Sequence, residues 1–182
     1  MTKNSIHGML DLETLGVGSN SVVVSVGLVA FNVSTGEIVA ELDIGLNLNQ
    51  QIKTGGVIDG DTLEFHFAQA PDSIQKMAQR KALDVKDGLD TISNFIKVNY
   101  ITSLWGNGAT FDCVILRNLY ARHLKVFPLG FWTDRDLRTA VDIYNIDTRD
   151  VPFEGIKHYC LDDARHQVKL LTDKSLRRWY LM

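Results

Sequence analysis

Cysteine is nearly absent from this chain: 182 residues hold only Cys113 and Cys160. Two thiols make no disulfide framework, so the chain suits a reducing compartment. Neither belongs to a C-x-x-C pair, which argues against a structural zinc site, and both are expected as small core residues. Excess positive charge is also missing. Nineteen Lys and Arg stand against 22 Asp and Glu, a net charge of -3. That balance argues against a protein that coats duplex nucleic acid through a broad basic face. It leaves room for an enzyme that grips one chain end with the help of bound cations. The longest apolar stretch, Val22 to Phe31, is broken by Ser25 and Gly27 and is too short to span a bilayer. No charged stretch leads into an apolar signal core, so a cytoplasmic protein without a membrane partner is expected.

Other signatures fail on inspection. Asp59-Gly60-Asp61 lacks the later ligands and closing glutamate of a calcium loop. Gly106-Asn107-Gly108 is followed by Phe111 where a dinucleotide fingerprint has its third glycine. No repeat, low-complexity tract or linker interrupts the sequence, and a single domain over residues 1–182 is expected. At 45% hydrophobic and 23% charged residues, the composition is that of a globular protein with a real core.

Three strands come first: Ser5 to Asp11, Val22 to Phe31 and Glu37 to Leu46. Short turns between them, such as Asn32 to Gly36, predict an antiparallel meander. Helices are predicted from Asp61 to Gln69, from Pro71 to about Leu83, and from Asp84 or Asp87 onward with Leu89, Ile92, Phe95 and Ile96 on one side. A short strand over Ile101 to Trp105 then precedes a helix from Phe111 to Leu124. A last strand over Phe127 to Trp132 and helices over Asp134 to Tyr144 and Leu161 to Asp173 complete the order. It is the order of a ribonuclease H-like α/β fold: a central mixed sheet with a three-stranded antiparallel meander, flanked by helices.

Three local patterns carry chemistry. Asp11 and Glu13, one residue apart at the end of the first strand, project to one side because the strand period is two. Two carboxylates there repel unless a cation joins them, and hard oxygen ligands favour Mg²⁺ or Mn²⁺. Alone the pair is too common to carry weight. Asp112 follows Asn107 and Phe111 at a strand-to-helix junction, where it also suits the acidic first turn of a helix. His158 lies five residues before Asp163, just ahead of a helix whose first turn carries that acid. A lone histidine is usually a satisfied core or surface residue; this one is a candidate general base.

Together these segments resemble the three motifs of the DEDDh 3′→5′ exonuclease superfamily, which includes proofreading subunits, oligoribonuclease and ribonuclease T. Asp-x-Glu falls on Asp11 and Glu13, Asn-x-x-x-Phe-Asp on Asn107, Phe111 and Asp112, and the histidine motif on His158, Asp163 and Ala164. Cys160 replaces one usual small alanine. Leu63 to Phe67 and Trp132 to Thr139 are similar to segments of a phage and mycobacterial exoribonuclease-like branch, which would place the chain in a bacterium or a phage-infected cell.

The resemblance implies two divalent cations, Mg²⁺ or Mn²⁺, on Asp11, Glu13, Asp112 and Asp163, with His158 as general base and nucleoside 5′-monophosphates as products. Thr14 would meet the terminal sugar, and Leu15, Phe111, Phe65 and His66 the terminal base, although Leu15 and Phe111 also suit core packing. Asn107 belongs to the same site by motif. Arg135 and Arg138, read as a helical i,i+3 pair, hold a phosphate or pair with Asp134 and Asp136. Arg117, Arg122, His123 and Lys125 are expected as a solvated helix end. The partner is a single-stranded 3′ end, DNA ahead of RNA. Several relatives are dimers, so a homodimer packed through Trp179 to Met182 is open. The alternatives are an exoribonuclease or short-oligonucleotide hydrolase with the same site, and an inert ribonuclease H-like binding module.

Overall fold

The computed structural model of the chain describes residues 5–69, 75 and 79–177. The three β-branched runs near the N-terminus pair in chain order: β1 Ile6–Thr14, β2 Val23–Asn32 and β3 Ile38–Leu46 form the expected antiparallel meander. Gly36, at φ 78°, supplies the left-handed residue that closes the β2–β3 turn. The other strands are short and parallel. β4 (Ala82–Leu83) lies outside β3, while β5 (Leu104–Gly106) and β6 (Asp134–Asp136) extend the sheet beyond β1. The strand order β4-β3-β2-β1-β5-β6 places β1 near the middle of a six-stranded mixed sheet.

Alternation along β1 sorts the two faces. Leu10 and Leu12 join Val26 and Leu28 on one side. That face packs on α3 (Val85–Val98), through Leu89 and Ile92, and on α4 (Asp112–Arg122), through Ile115 and Leu119. Met9 points the other way with Val29 and Phe31. This second face meets Leu161, Ala164 and Val168 of α6 (Cys160–Thr172) and Leu137 of α5 (Leu137–Ile143). Asp11 and Glu13 share the parity of Met9, so they look toward α6.

Several expectations need correction. Phe127 to Trp132 is no strand: Phe131–Thr133 is a 3₁₀ turn, and the last strand is β6. The Leu129 and Gly130 carbonyls that a neighbouring strand would have used accept instead from the Arg117 guanidinium, at 2.9 and 3.0 Å. The helix expected from Asp134 starts at Leu137, because the Asp136 side chain caps it by accepting from Thr139 N at 2.7 Å. Arg135 on β6 and Arg138 on α5 are therefore not a helical pair.

Near Asp61, the cap of α2 (Gly60–Phe67) is Asp59. The helix expected from Pro71 falls mostly outside the described residues, and its final Ala82 and Leu83 pair with β3 instead. A short α1 (Leu48–Lys53), not predicted, is capped by Asn47. Trp179 to Met182 also lie outside the described residues. Among the described residues no helix is long and apolar enough to cross a membrane.

Candidate active site

β1 runs past Asp11 to Thr14, so Asp11 and Glu13 both stand on extended backbone and share a face. α6 delivers Asp163 to them: one carboxylate oxygen from each of Asp11, Glu13 and Asp163 lies within 4.8 Å of the others. Asp112 arrives differently. The β1–β5 ladder ends at Leu10 and Gly106, leaving the next outward amide of β1 without a strand partner. The Asp112 carboxylate takes it, accepting from Leu12 N at 3.1 Å. That bond fixes a fourth acid, at the N-terminus of α4, against the strand that carries the first two.

The four acids are crowded and poorly solvated. Burial holds Asp11 well above the usual carboxylate range, reinforced by Asp112, Glu13 and Asp163. Burial, then Asp163, push Glu13 up to about 8 despite the nearby Arg80. Asp112 rises to about 7 through burial, opposed by the backbone amides that donate to it. Asp163 is raised by burial, against the pull of His158. Such a group is a costly set of anions on its own. Its all-oxygen donors are those of a hard divalent cation.

His158 sits in the left-handed region, at φ 61°, a conformation costly for a residue with a Cβ. The acids after it hold that loop. Asp163 accepts from Tyr159 N at 3.0 Å, and Asp162 from Ile156 N at 2.9 Å. Farther out, Tyr159 donates to Asp43, which pairs with Arg80 at 2.7 Å, while the Arg80 guanidinium lies 4.6 Å from the Tyr159 ring centre. The Phe65 ring meets the His158 ring edge to face, with centroids 5.2 Å apart.

A cleft opens beside the acids. Leu12, Thr14, Phe65, Phe111, Arg138 and His158 line it, with Glu13 at its inner end. Leu15 is buried and does not line this cleft. His66 lines the cleft although mostly buried, and its Nε2 contacts the Thr14 carbonyl oxygen at 2.8 Å. Asn107 lines a second cleft on the other flank, which shares Arg138 and His158 with the first. Arg135 lines neither; it is exposed and donates to the Trp132 and Asp134 carbonyls. Arg117, expected in a solvated cluster, instead chelates Asp134 at 2.8 and 2.6 Å. Both cysteines are free and buried.

Sequence reasoning missed Gln167. Its Nε2 donates to Asp11 Oδ1 at 2.6 Å. The available signal was helical: Gln167 follows Asp163 by four residues and shares its face. Arg80 carried no signal, because its partners Asp43 and Tyr159 are distant in sequence.

An Asp-x-Glu pair on the central strand, met by acids from two helix N-termini, defines a nuclease of the ribonuclease H-like fold. The chain belongs to the Rv2179c-like 3′-5′ exoribonuclease domain family, whose model matches residues 6–174. It is a 3′-5′ exonuclease. An exodeoxyribonuclease of Enterobacteria phage T4 is 24% identical over 188 residues, covering 87% of this chain and 82% of that protein. The nuclease domain of 3′hExo, a DEDDh family member bound to rAMP, superposes with a TM-score of 0.64 at 14% identity, covering 97% of this chain and 96% of that one. E. coli exonuclease I in complex with a dT13 oligonucleotide gives 0.61 at 10% identity, covering 91% of this chain and 40% of that one. At these identities the two structures speak for the fold alone.

Proposed function

We propose that this exonuclease removes nucleoside 5′-monophosphates from single-stranded 3′ ends by a two-cation mechanism. The observation that carries the reading is the convergence of Asp11, Glu13 and Asp163 within 4.8 Å, with Asp112 bonded to the same strand. These four residues would hold two divalent cations, Mg²⁺ or Mn²⁺. Bound there, such ions supply nucleophile activation and charge neutralisation at the leaving oxygen of an in-line displacement.

The chain's own groups do the rest. His158 takes a proton from the attacking water, a role suited to imidazole near neutral pH; its place beside Asp163 and on both clefts supports that role. Thr14 meets the terminal sugar, and Phe65 and Phe111 flank the terminal base. His66 lines the same cleft with most of its surface buried, and Leu15 acts from behind that wall. Arg138, between the clefts, neutralises phosphate charge, and Asn107 borders the reacting centre; Arg135 has the weakest support. The T4 relative supports DNA as the polymer and the family's description supports RNA. We place DNA ahead, on the likeness to the phage enzyme.

A labelled oligonucleotide assay in Mg²⁺ and Mn²⁺ tests the reading, with circular dichroism as folding control. Asp163→Ala and Asp11→Ala should be folded and inactive. His158→Ala should be severely impaired and still bind Mn²⁺ by calorimetry. A fully active Asp163→Ala would sink the mechanism. Matched DNA and RNA single strands, digested side by side, decide the polymer.

A further inference from the structure

The second cleft runs between α5, α6 and the loop ahead of His158. It belongs to none of the roles above except where Asn107, Arg138, His158 and Asp163 border it. Its walls are unlike those of the first. Arg149 and Lys157 stand along it, as does Asp142; Arg149 is held by Asp147, at 2.9 and 2.7 Å, in an exposed pair that a phosphate can compete for. Phe153 lies against His166, ring centres 4.9 Å apart and planes at 44°, and the Lys157 ammonium sits 5.9 Å from the Phe153 ring centre. Two lining side chains carry buried polar atoms that lack a hydrogen-bond partner: His166 Nδ1 and Gln167 Oε1. A buried group left unpaired in this way points to a missing polar ligand.

An enzyme that removes one nucleotide at a time needs unequal spaces about the cut. One nucleotide lies on the 3′ side, and the remaining chain, with a phosphate and a base at each step, lies on the other. The first cleft presents Leu12, Phe65 and Phe111 to a single base, with Asp59 and Asp61 also on its lining. Cations beside an aromatic ring are the pattern that follows a single strand without reading its sequence. We propose that the second cleft binds the nucleotides immediately 5′ of the scissile bond, with Arg149 and Lys157 at their phosphates and Phe153 under a base. This rests on the exonuclease reading and on the first cleft holding the terminal nucleotide.

Steady-state hydrolysis of two substrates tests it: an octanucleotide, and the p-nitrophenyl ester of thymidine 5′-monophosphate, which has no 5′ neighbour. The wild-type KM should be far lower for the octamer. Phe153→Ala should raise the octamer KM by about tenfold, the size of one base–aromatic stack, with kcat little changed and the ester KM moved less than about twofold. Arg149→Ala/Lys157→Ala, which alters only exposed side chains, guards against a folding defect in the first variant. It should raise the octamer KM likewise and flatten its log–log salt dependence by about 1.4, or ~0.7 per lost phosphate contact. An octamer KM equal to that of the ester, or variants that weaken both substrates alike, overturns the proposal and leaves the exonuclease reading standing. A wild type that hydrolyses neither substrate defeats both.

Discussion

Gly27 faces Asp11 across the β1–β2 ladder, and a Cβ built on it would fall 2.4 Å from the carbonyl carbon and oxygen of Cys160. The start of α6 therefore lies directly on β2 at the level of Asp11 and Glu13. Gly27→Ala must push α6 outward, carrying Asp163 and His158 from Asp11 and Glu13. We expect a destabilisation of about 3 kcal/mol, as for overpacking at a rigid contact, and loss of exonuclease activity. Urea melts and the oligonucleotide assay measure both. Cys160→Ala, which leaves that backbone contact in place and removes a buried thiol 3.4 Å from Ser25 Oγ and from the Arg80 guanidinium, should keep most of the activity.

The Gln167 amide holds Asp11 Oδ1 at 2.6 Å and so orients an acid proposed to ligate. Gln167→Ala should weaken Mn²⁺ binding about 10–100-fold, the usual cost of losing a group that orients a ligand. Calorimetry reads this directly; an unchanged isotherm would show that Asp11 is aligned by the other acids.

The raised acids make the metal-free protein sensitive to alkali. Glu13, near 8, and Asp112, near 7, hold protons in the folded state that the unfolded chain has already released. The folded state thus binds more protons, and stability falls as pH rises through these values. From pH 7 to pH 9 in EDTA we expect a loss of about 2 kcal/mol, on the order of 5 °C in Tm. Working above pH 7 avoids the opposite trend of His7, His123 and His166, whose lowered values matter below their ordinary range. Saturating Mn²⁺ should remove most of the fall, because it binds the deprotonated acids; the part that stays comes from Cys113 and Cys160, whose burial keeps thiols protonated that the unfolded chain begins to release near pH 9. Melting curves with and without metal decide.

Gln51 replaces a strand. Its buried amide accepts from Val23 N and donates to Val23 O, both at 2.7 Å, and so pins α1 to the start of β2. Gln51→Leu leaves two buried backbone groups unpaired. It should cost about 2–3 kcal/mol, read as a lower denaturant midpoint, with cation binding retained in the folded protein.

The meander and the helices of the core were legible because their information is local. β-branched runs, capping residues such as Asp84 and helical spacing such as Leu89, Ile92 and Ile96 act within a few residues of themselves. The Phe127 to Trp132 segment misled for the opposite reason. Its composition suits a strand, yet Arg117, from the helix before it, claims two of its carbonyls. A guanidinium's choice among distant acceptors leaves no trace in local pattern.

The same division runs through the site. The sequence by itself determined the chemical inventory: Asp11, Glu13, Asp112, Asp163 and His158, with the strand period turning the first two to one side. Only the tertiary structure decided that Asp112 is anchored on the Leu12 amide, that Gln167 orients Asp11, and that the site has a cleft on each flank. Side-chain identity and short-range periodicity are written in the chain. A hydrogen bond across 100 residues or more exists only once the sheet brings its partners together.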